Sequence, residues 1–279
     1  MFKIDPGTLY LVATPIGNLS DITARAVQTL READFIAAED TRVTRKLLAH
    51  LDIKKPLISY YKHNSRVSGE KVLSRLQGGE SCALVTDAGT PSICDPGEEL
   101  VCLCAKEEIP MIVIPGACAA VSALSLSGFK SERFVFEGFL PVDNKKRKVY
   151  LDELKHEKRT AVIYEAPHKL MRTLKDLFKA LGDRRISVSR ELTKIYEETI
   201  RMNLSEAIVH YENKQPRGEF VLVIEGVQES PDSDNKLEKG INAARAYIKD
   251  GLTAKDAVKK AADETGCSKN ALYKVIISD

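Results

Sequence analysis

The segment TLYLVATPIGN, residues 8–18, decides the fold, because a buried-type apolar strand runs directly into a turn containing proline and glycine. Two later segments repeat this arrangement: ALVTDAGTPSICDPG at residues 83–97 and IVIPGACAA at residues 112–120. In an open α/β sheet, the loops at the carboxyl ends of strands converge on the ligand crevice. The three turns therefore predict one ligand site at one edge of a sheet.

Apolar runs and amphipathic stretches alternate outward from these turns. Strands are predicted at residues 8–13, 35–38, 57–60, 83–86 and 112–114. Helices are predicted between them at residues 21–33 (capped by Ser20 or Asp21), 43–51, 69–76 and 97–106. This βαβ alternation is typical of a mostly parallel sheet covered on both faces.

A second set of strands is predicted at residues 134–137, 160–164, 186–190, 197–202 and 220–224, with a helix at 169–181 that ends at Gly182. The last three of these strands show more polar–apolar alternation, which predicts a mixed or partly antiparallel sheet. The predicted fold class is therefore α/β, with two α/β domains and a cleft between them.

Domain boundaries follow from changes in composition. We predict a first domain at 1–115, a second at 116–227, a polar linker at 228–236 and a small helical domain at 237–279. The last region has three short helical patterns, at 241–250, 254–262 and 269–277, with Gly251 and Gly266 in the turns. Such a module resembles a helix-turn-helix, but many small helical caps share the pattern. Contact with nucleic acid and a purely structural role therefore both stay open.

Composition excludes several classes of protein. The 279 residues hold 42 Lys plus Arg and 40 Asp plus Glu, for a formal net charge of +2, with 43% hydrophobic residues. These values are typical of a globular protein and not of a disordered or coiled-coil chain. No apolar run reaches the roughly 18 residues that a membrane helix needs, and no signal-peptide cleavage pattern is present. The six cysteines form no C-x-x-C pair, so we expect a cytoplasmic protein with free thiols.

Common nucleotide and metal signatures are missing. No G-x-G-x-x-G follows the first strand and no G-x-x-x-x-G-K-[ST] occurs, which argues against a dinucleotide dehydrogenase and a P-loop NTPase. Asp87 and Asp95 could suggest magnesium, but each precedes a Gly or Pro by one or two residues, where Asp commonly caps a turn. We therefore expect no metal.

A series of motifs carries a resemblance to a known family. In chain order they are TLYLVATPIGNLSDITARAVQTL, AAEDTRVTRKLL, ALVTDAGTPSICDPG, PGACAAVSALSLSG, FVFEGFLP, YEAPHKL, SRELTKIYEE and GEFVLVIEG. Together they resemble the ribosomal small-subunit RNA methyltransferase I family of the tetrapyrrole-methylase superfamily. The resemblance covers about residues 7–226, and the tail is similar to a small helical domain that members often carry.

The resemblance implies an activity that composition and periodicity do not reach. It implies a cofactor, S-adenosylmethionine, bound in the cleft, and commonly a homodimer. It further implies methylation of the ribose 2′-oxygen of a decoding-centre cytidine in 16S rRNA of the small ribosomal subunit. Two other functions stay open: a methyltransferase of the same superfamily acting on a porphyrin-like molecule, and a non-enzymatic ribosome-binding module that retains the fold.

Positions that match the family motifs give the expected cofactor site, with Asp87 as its main polar anchor. The expected cofactor-binding residues are Thr14, Pro15, Ile16, Asp87, Ala88, Gly89, Thr90, Cys118, Ala119, Tyr164, Glu165, Ala166 and Glu191. Two departures stand out. Ala117 and Cys118 replace the Pro and Ser that the family more often has, and Ser65 stands where a carboxylate is usual.

Transfer to a ribose hydroxyl benefits from a general base, because the hydroxyl ionises far above neutral pH. No spacing in the sequence identifies that base. His63, Glu165 and Lys194 are the candidates, and His63 and Lys194 are equally plausible as contacts to RNA.

Two basic clusters are the predicted RNA contacts. Arg42, Arg45 and Lys46 share one helix face by their i, i+3, i+4 spacing, with Glu39 and Asp40 as the preceding turn and helix cap. The other cluster, Lys145, Lys146, Arg147 and Lys148, follows the GFLP motif. Contacts from these seven side chains to phosphates would make binding sensitive to salt.

Overall fold

The structure, a computed structural model, describes residues 3–227 and 231–278. The chain divides into two compact units, Met1–Gly226 and Val227–Asp279. The first unit contains two five-stranded sheets. The candidate site lies where the loops of these two sheets meet.

The first sheet is entirely parallel and has the strand order β3-β2-β4-β1-β5. Its strands are β1 (Leu9–Val12), β2 (Phe35–Ala38), β3 (Leu57–Ser59), β4 (Cys82–Val85) and β5 (Met111–Ile114). The intervening helices are α1 (Ala24–Glu32), α2 (Thr41–His50), α3 (Ser65–Gln77) and α4 (Glu98–Lys106). Separate apolar clusters cover its two faces, as the continuous apolar strands predict.

Helix caps explain where two of these helices begin. Asp40 caps α2 by accepting the backbone N–H of Arg42 at 2.8 Å, as predicted. The prediction for the first helix is wrong, because α1 begins at Ala24 with Thr23 as its cap. Asn18 instead caps a short 3-10 helix, Leu19–Asp21, that takes up the residues expected to open α1.

The second sheet is mixed, as predicted, with the order β6-β7-β10-β8-β9. Its strands are β6 (Phe134–Phe139), β7 (Thr160–Glu165), β8 (Arg185–Arg190), β9 (Glu198–Asn203) and β10 (Phe220–Ile224). Only β6 and β7 pair in parallel. The associated helices are α5 (Ala119–Ser127), α6 (Asn144–Leu154), α7 (Pro167–Leu181) and α8 (Leu204–Asn213).

Pairing in the second sheet brings the ends of β7 and β8 and the start of β10 to the same edge of the sheet. Phe220, the first residue of β10, pairs with Glu165 at the end of β7 and with Arg190 at the end of β8. Helices α6, α7 and α8 cover one face, and α5 packs on the other. Because α5 starts inside the third Gly/Pro turn, the two halves of the unit meet near Pro115, where the sequence predicts a boundary.

The second unit, described by itself, is a three-helix module. Its helices are α9 (Pro231–Lys249), α10 (Ala254–Thr265) and α11 (Lys269–Ser278). Helix α9 begins within the stretch predicted as a linker, while residues 228–230 lie outside the described residues. Gly266 ends α10 in the left-handed region, with φ of 68°. None of the described helices has the length and apolar character needed to cross a membrane.

Candidate functional site

The three Gly/Pro turns of the first half lie against one another. The backbones of Thr14 and Gly89 exchange two hydrogen bonds, of 2.9 and 3.0 Å, and the Thr14 hydroxyl donates to the carbonyl of Thr86 at 3.2 Å. The hydroxyl of Thr90 donates to the carbonyl of Ala117 at 3.4 Å. Gly89 has φ of +79°, a conformation that a side chain would strain. The turns therefore form one continuous edge, as the sequence predicts.

A cavity of about 530 Å³ opens at this edge and is closed on its other side by the second sheet. This volume is in the usual range for small-molecule sites. Its lining combines residues from both halves: Ile16, Glu39, Asp87, Ala88, Gly89, Thr90, Ile93, Cys94, Asp95, Cys118, Ala119, Phe139, Tyr164, Glu165, Ala166, Pro167, His168, Leu192, Glu219, Phe220 and Val221.

Three carboxylates from the first half face this cavity. Glu39 accepts the backbone N–H of Asp87 at 3.3 Å, and Asp87 accepts the backbone N–H of Asp40 at 3.1 Å, so the loops after β2 and β4 are held together. Asp95 lies further along the loop after β4. No Lys or Arg appears among the described residues that line the cavity. The lining is therefore strongly acidic.

Burial and mutual repulsion shift the titration of these acids. Burial, with the charges of Glu39 and Asp87, raises the pKa of Asp95 to about 6. Burial likewise raises the pKa of Glu39 and of Asp87. A cationic ligand would relieve this repulsion. Among the described residues, no three His, Cys, Asp or Glu side chains are grouped to hold a metal ion.

Glu165 lines the cavity, but both of its carboxylate oxygens are already used. Its side chain is 4% exposed, and one oxygen accepts the N–H of Ala166 at 2.8 Å, at the start of α7. The other oxygen accepts a hydrogen bond from the hydroxyl of Thr173. These contacts give Glu165 a structural role, because they tie the end of β7 to the first turns of α7.

Lys194 is held as a cation beside the cavity and does not line it. Its ammonium group donates to Glu191 at 2.8 Å and to Glu219 at 2.9 Å. Burial alone would lower the pKa of Lys194, but the hydrogen bonds to Glu191 and Glu219 outweigh it and raise the pKa. Glu191 and Thr193 have positive φ values, 52° and 66°, so this loop keeps a strained backbone. A lysine held in its charged form is a poor general base.

Several other predicted site residues also lie outside the lining. His63 is exposed in the loop after β3, with its ring 6.4 Å from that of Tyr61. Thr14 holds the turn through its backbone hydrogen bonds to Gly89, Pro15 follows it outside the lining, and Glu191 is paired with Lys194. The remaining predicted cofactor residues do line the cavity: Ile16, Asp87, Ala88, Gly89, Thr90, Cys118, Ala119, Tyr164, Glu165 and Ala166.

Sequence reasoning did not place Asp95 and His168 in the site, although both are among the ionisable residues that line the cavity. Within the described part of the chain, neither side chain has a hydrogen-bond or ion-pair partner. The sequence favours a turn role for Asp95, because Pro96 and Gly97 follow it. The position of His168 directly after Pro167, at the first turn of α7 after a strand end, is the signal that could have placed it here.

The predicted RNA-binding residues divide into two groups. Six of them are exposed: Arg42, Arg45, Lys46, Lys145, Lys146 and Lys148. Arg147 is 5% exposed, so its predicted role in RNA binding is wrong. Its guanidinium donates to Asp176 and to Thr173, each at 2.7 Å, and thereby supports the hydroxyl that binds Glu165.

Comparison with known proteins fits this architecture. The family model described as Tetrapyrrole (Corrin/Porphyrin) Methylases matches residues 8–208. A solved structure titled uroporphyrin-III C-methyltransferase from Thermus thermophilus, complexed with S-adenosyl homocysteine, covers 78% of this chain and 97% of its own, with a TM-score of 0.57. At 16% identity, that likeness shows the fold alone.

Relatives with higher identity carry a narrower name, Ribosomal RNA small subunit methyltransferase I. The protein from Halalkalibacterium halodurans is 47% identical over 97% of this chain and 95% of its own length. The protein from Thermotoga maritima is also 47% identical, over 79% of this chain and 99% of its own length. The chain therefore belongs to the ribosomal RNA small subunit methyltransferase I family of tetrapyrrole methylases.

Proposed function

We propose that the protein methylates the ribose 2′-oxygen of a decoding-centre cytidine in 16S rRNA of the small ribosomal subunit, with S-adenosylmethionine as methyl donor. The observation that carries the proposal is an acidic cavity between two α/β halves in a chain 47% identical to ribosomal RNA methyltransferases. A homodimer and a cytoplasmic location, both expected from the sequence, stay predictions.

The lining suits a ligand that combines a positive charge with an adenine. Glu39, Asp87 and Asp95 offer negative charge, and no described Lys or Arg of the lining opposes a sulfonium. Ile16, Leu192 and Val221 add apolar surface against which an aromatic base can pack. When bound, S-adenosylmethionine supplies a methyl group that the ribose 2′-oxygen takes, while the sulfur keeps the electron pair of the broken bond.

Catalysis by the chain's own residues then consists of alignment and proton removal. Two enclosing halves can fix the angle of an in-line displacement, which supplies much of the acceleration. We propose that the carboxylate of Asp95 accepts the proton of the 2′-hydroxyl. Asp95 lines the cavity and has no hydrogen-bond partner within the described residues. Its raised pKa, about 6, keeps it ionised at neutral pH but more basic than an ordinary aspartate.

Labelled methyl transfer tests the reaction and its position together. Small ribosomal subunits that lack decoding-centre methylation are incubated with the protein and labelled S-adenosylmethionine, and the RNA is then hydrolysed in alkali. A 2′-O-methyl group blocks the neighbouring hydroxyl, so the label is expected in an alkali-resistant dinucleotide. Label in mononucleotides would mean base methylation and would reject the ribose target. Cofactor binding without transfer to RNA would favour a porphyrin-like substrate.

A further inference from the structure

A bulge in β6 changes the direction of one aromatic side chain. Phe136 pairs with Val162 and Phe139 pairs with Tyr164, so three residues of β6 are matched by two of β7. The register shift occurs between Phe136 and Gly138, where Gly138 has φ of +62°. Phe136 and Phe139 are three residues apart, so in a strand without a bulge they would point to opposite faces. The bulge instead puts both on the face that continues into the cavity.

The ring of Phe139 is held in a defined orientation. It meets the ring of Tyr164 edge-on, with 5.6 Å between centroids and 62° between planes, and Phe136 packs on Tyr164 at 5.0 Å. Tyr164 is itself fixed, because its hydroxyl accepts the backbone N–H of Ala120 at 3.1 Å. A mobile surface phenylalanine would lack this support. The ring is therefore preorganised at the position to which the bulge brings it.

Phe139 nevertheless stays open to solvent. It is 54% exposed while lining the cavity, and Ile93, from the loop after β4, also lines the cavity and is 45% exposed. Large apolar side chains exposed at the rim of a ligand cavity commonly mark a contact surface. The bulge also requires glycine at position 138, because an added Cβ there would lie 2.7 Å from the sulfur of Cys94.

Positive charge lies just beyond this ring in the sequence. Helix α6 begins at Asn144, five residues after Phe139, and its first turns carry the exposed Lys145, Lys146 and Lys148. Proteins bind unpaired nucleotides by stacking the base on an exposed aromatic ring and neutralising the phosphates with cations, and the segment 139–148 carries both kinds of group. The cations favour a nucleotide over an uncharged apolar partner.

We propose that Phe139 is the stacking platform for the cytosine base whose ribose is methylated. The proposal rests on the proposed function and adds the residue that positions its substrate. Stacking on the ring would hold the base at the cavity rim, so that its ribose faces Asp95. The β6 bulge is the device that makes this placement possible.

Substitutions at Phe139, compared with a matched phenylalanine, test the proposal. Phe139→Ala and Phe139→Leu are each expected to lower kcat/KM for small subunits about tenfold to hundredfold, the usual loss of one base–aromatic stack. Phe139→Trp should stay within about threefold of the wild type, because the stacking face is kept. Calorimetry should find a smaller change in the cofactor Kd than in kcat/KM for all three variants, because Phe139 lies at the exposed rim of the cavity. Phe178→Ala, which removes a ring 40% exposed on α7 and outside the cavity, is the control expected to change neither value.

Three results would overturn the proposal. An unchanged kcat/KM in Phe139→Ala would mean that the ring does not touch the substrate. A parallel loss of cofactor affinity would mean that it contacts the cofactor, and full activity in Phe139→Leu would mean that only apolar bulk is needed. If the wild type places no label in the alkali-resistant dinucleotide, the proposed function itself fails and the base platform fails with it.

Discussion

The two sheets of the first unit contribute differently to the same cavity. From the parallel sheet come loops that carry charge: Glu39 after β2, and Asp87 and Asp95 after β4. From the mixed sheet come mainly apolar and aromatic groups at strand ends, such as Phe139 and Leu192. The parallel half therefore provides the carboxylates with raised pKa, while the mixed half provides most of the apolar surface and two glutamates, Glu165 and Glu219, that are hydrogen-bonded within the chain.

Strand direction explains this difference. In a parallel sheet every carboxyl end lies at one edge, so successive loops bring polar side chains to one place. In the mixed sheet the ends of β7 and β8 share an edge with the start of β10, and the ion pairs there are satisfied within the chain, as Lys194 is by Glu191 and Glu219. We therefore expect substitutions in the first half to affect chemistry and ligand binding, and those in the second to affect stability or RNA binding.

The largest effect should come from Asp95→Asn, which removes the proposed proton acceptor. We expect kcat to fall about 100-fold to 10,000-fold, the usual range for general acid–base catalysis. Activity of the wild type should decline as the pH falls through about 6, because protonated Asp95 cannot accept a proton. The variant should lose this acid limb. Single-turnover methyl transfer across pH measures both effects.

The control for this experiment is Asp250→Asn, an exposed carboxylate after α9, which should leave the rate and the pH profile unchanged. Cofactor affinity of Asp95→Asn should stay within a few-fold of the wild type. If the affinity falls as far as the rate, Asp95 is a ligand of the cofactor, and its assignment as base is wrong.

In the mixed half, Arg147→Ala should reduce stability without acting on chemistry. It removes the guanidinium from Thr173 and from Asp176, which keeps only Arg172 at 3.7 Å, and this should cost about 1.5–3 kcal/mol in the free energy of unfolding. Lys146→Ala, one residue away and exposed, should cost less than about 0.5 kcal/mol. Urea denaturation of both variants makes the comparison. Equal stability would contradict the structural role of Arg147.

Asp87→Asn should weaken cofactor binding about tenfold to hundredfold, because a charged partner is exchanged for a neutral one of the same shape. The fold should persist, since an amide oxygen can still accept the N–H of Asp40. Calorimetric titration with S-adenosylmethionine gives the affinity. An unchanged affinity would mean that the positive charge of the cofactor does not lie near this loop. It would also count against the different roles that we expect for the two halves.

The smallest effect should follow from the combined change Lys145→Ala, Lys146→Ala and Lys148→Ala. Affinity for small subunits should fall, and its dependence on log salt should lose about 0.7–0.9 per phosphate contact removed. Cofactor affinity should not change, because none of the three side chains lines the cavity. Binding measured at several salt concentrations tests this. An unchanged salt slope would mean that this lysine cluster does not meet the RNA.

Most of the fold prediction rests on sequence patterns within short segments of the chain. Period and turn chemistry predicted the strands of both sheets, the Asp40 cap and the end of α7 at Gly182, because each depends on neighbours within a few residues. The predicted start of α1 is wrong because two caps lie close together in the chain. Asn18 caps a 3-10 helix over Leu19–Asp21, and Thr23 then caps α1 at Ala24. The three Gly/Pro turns were enough to predict that one site exists.

The sequence by itself determined the α/β class, the place of the cavity and the family. Only the tertiary structure decided which charged groups are free: Arg147 and Lys194 look alike in the sequence as exposed cations, yet both are held in ion pairs within the first unit. It also decided the direction of Phe139, through a register shift against β7. Whether a side chain is free, paired or redirected depends on residues far away in the chain, and spacing along one segment does not encode those contacts.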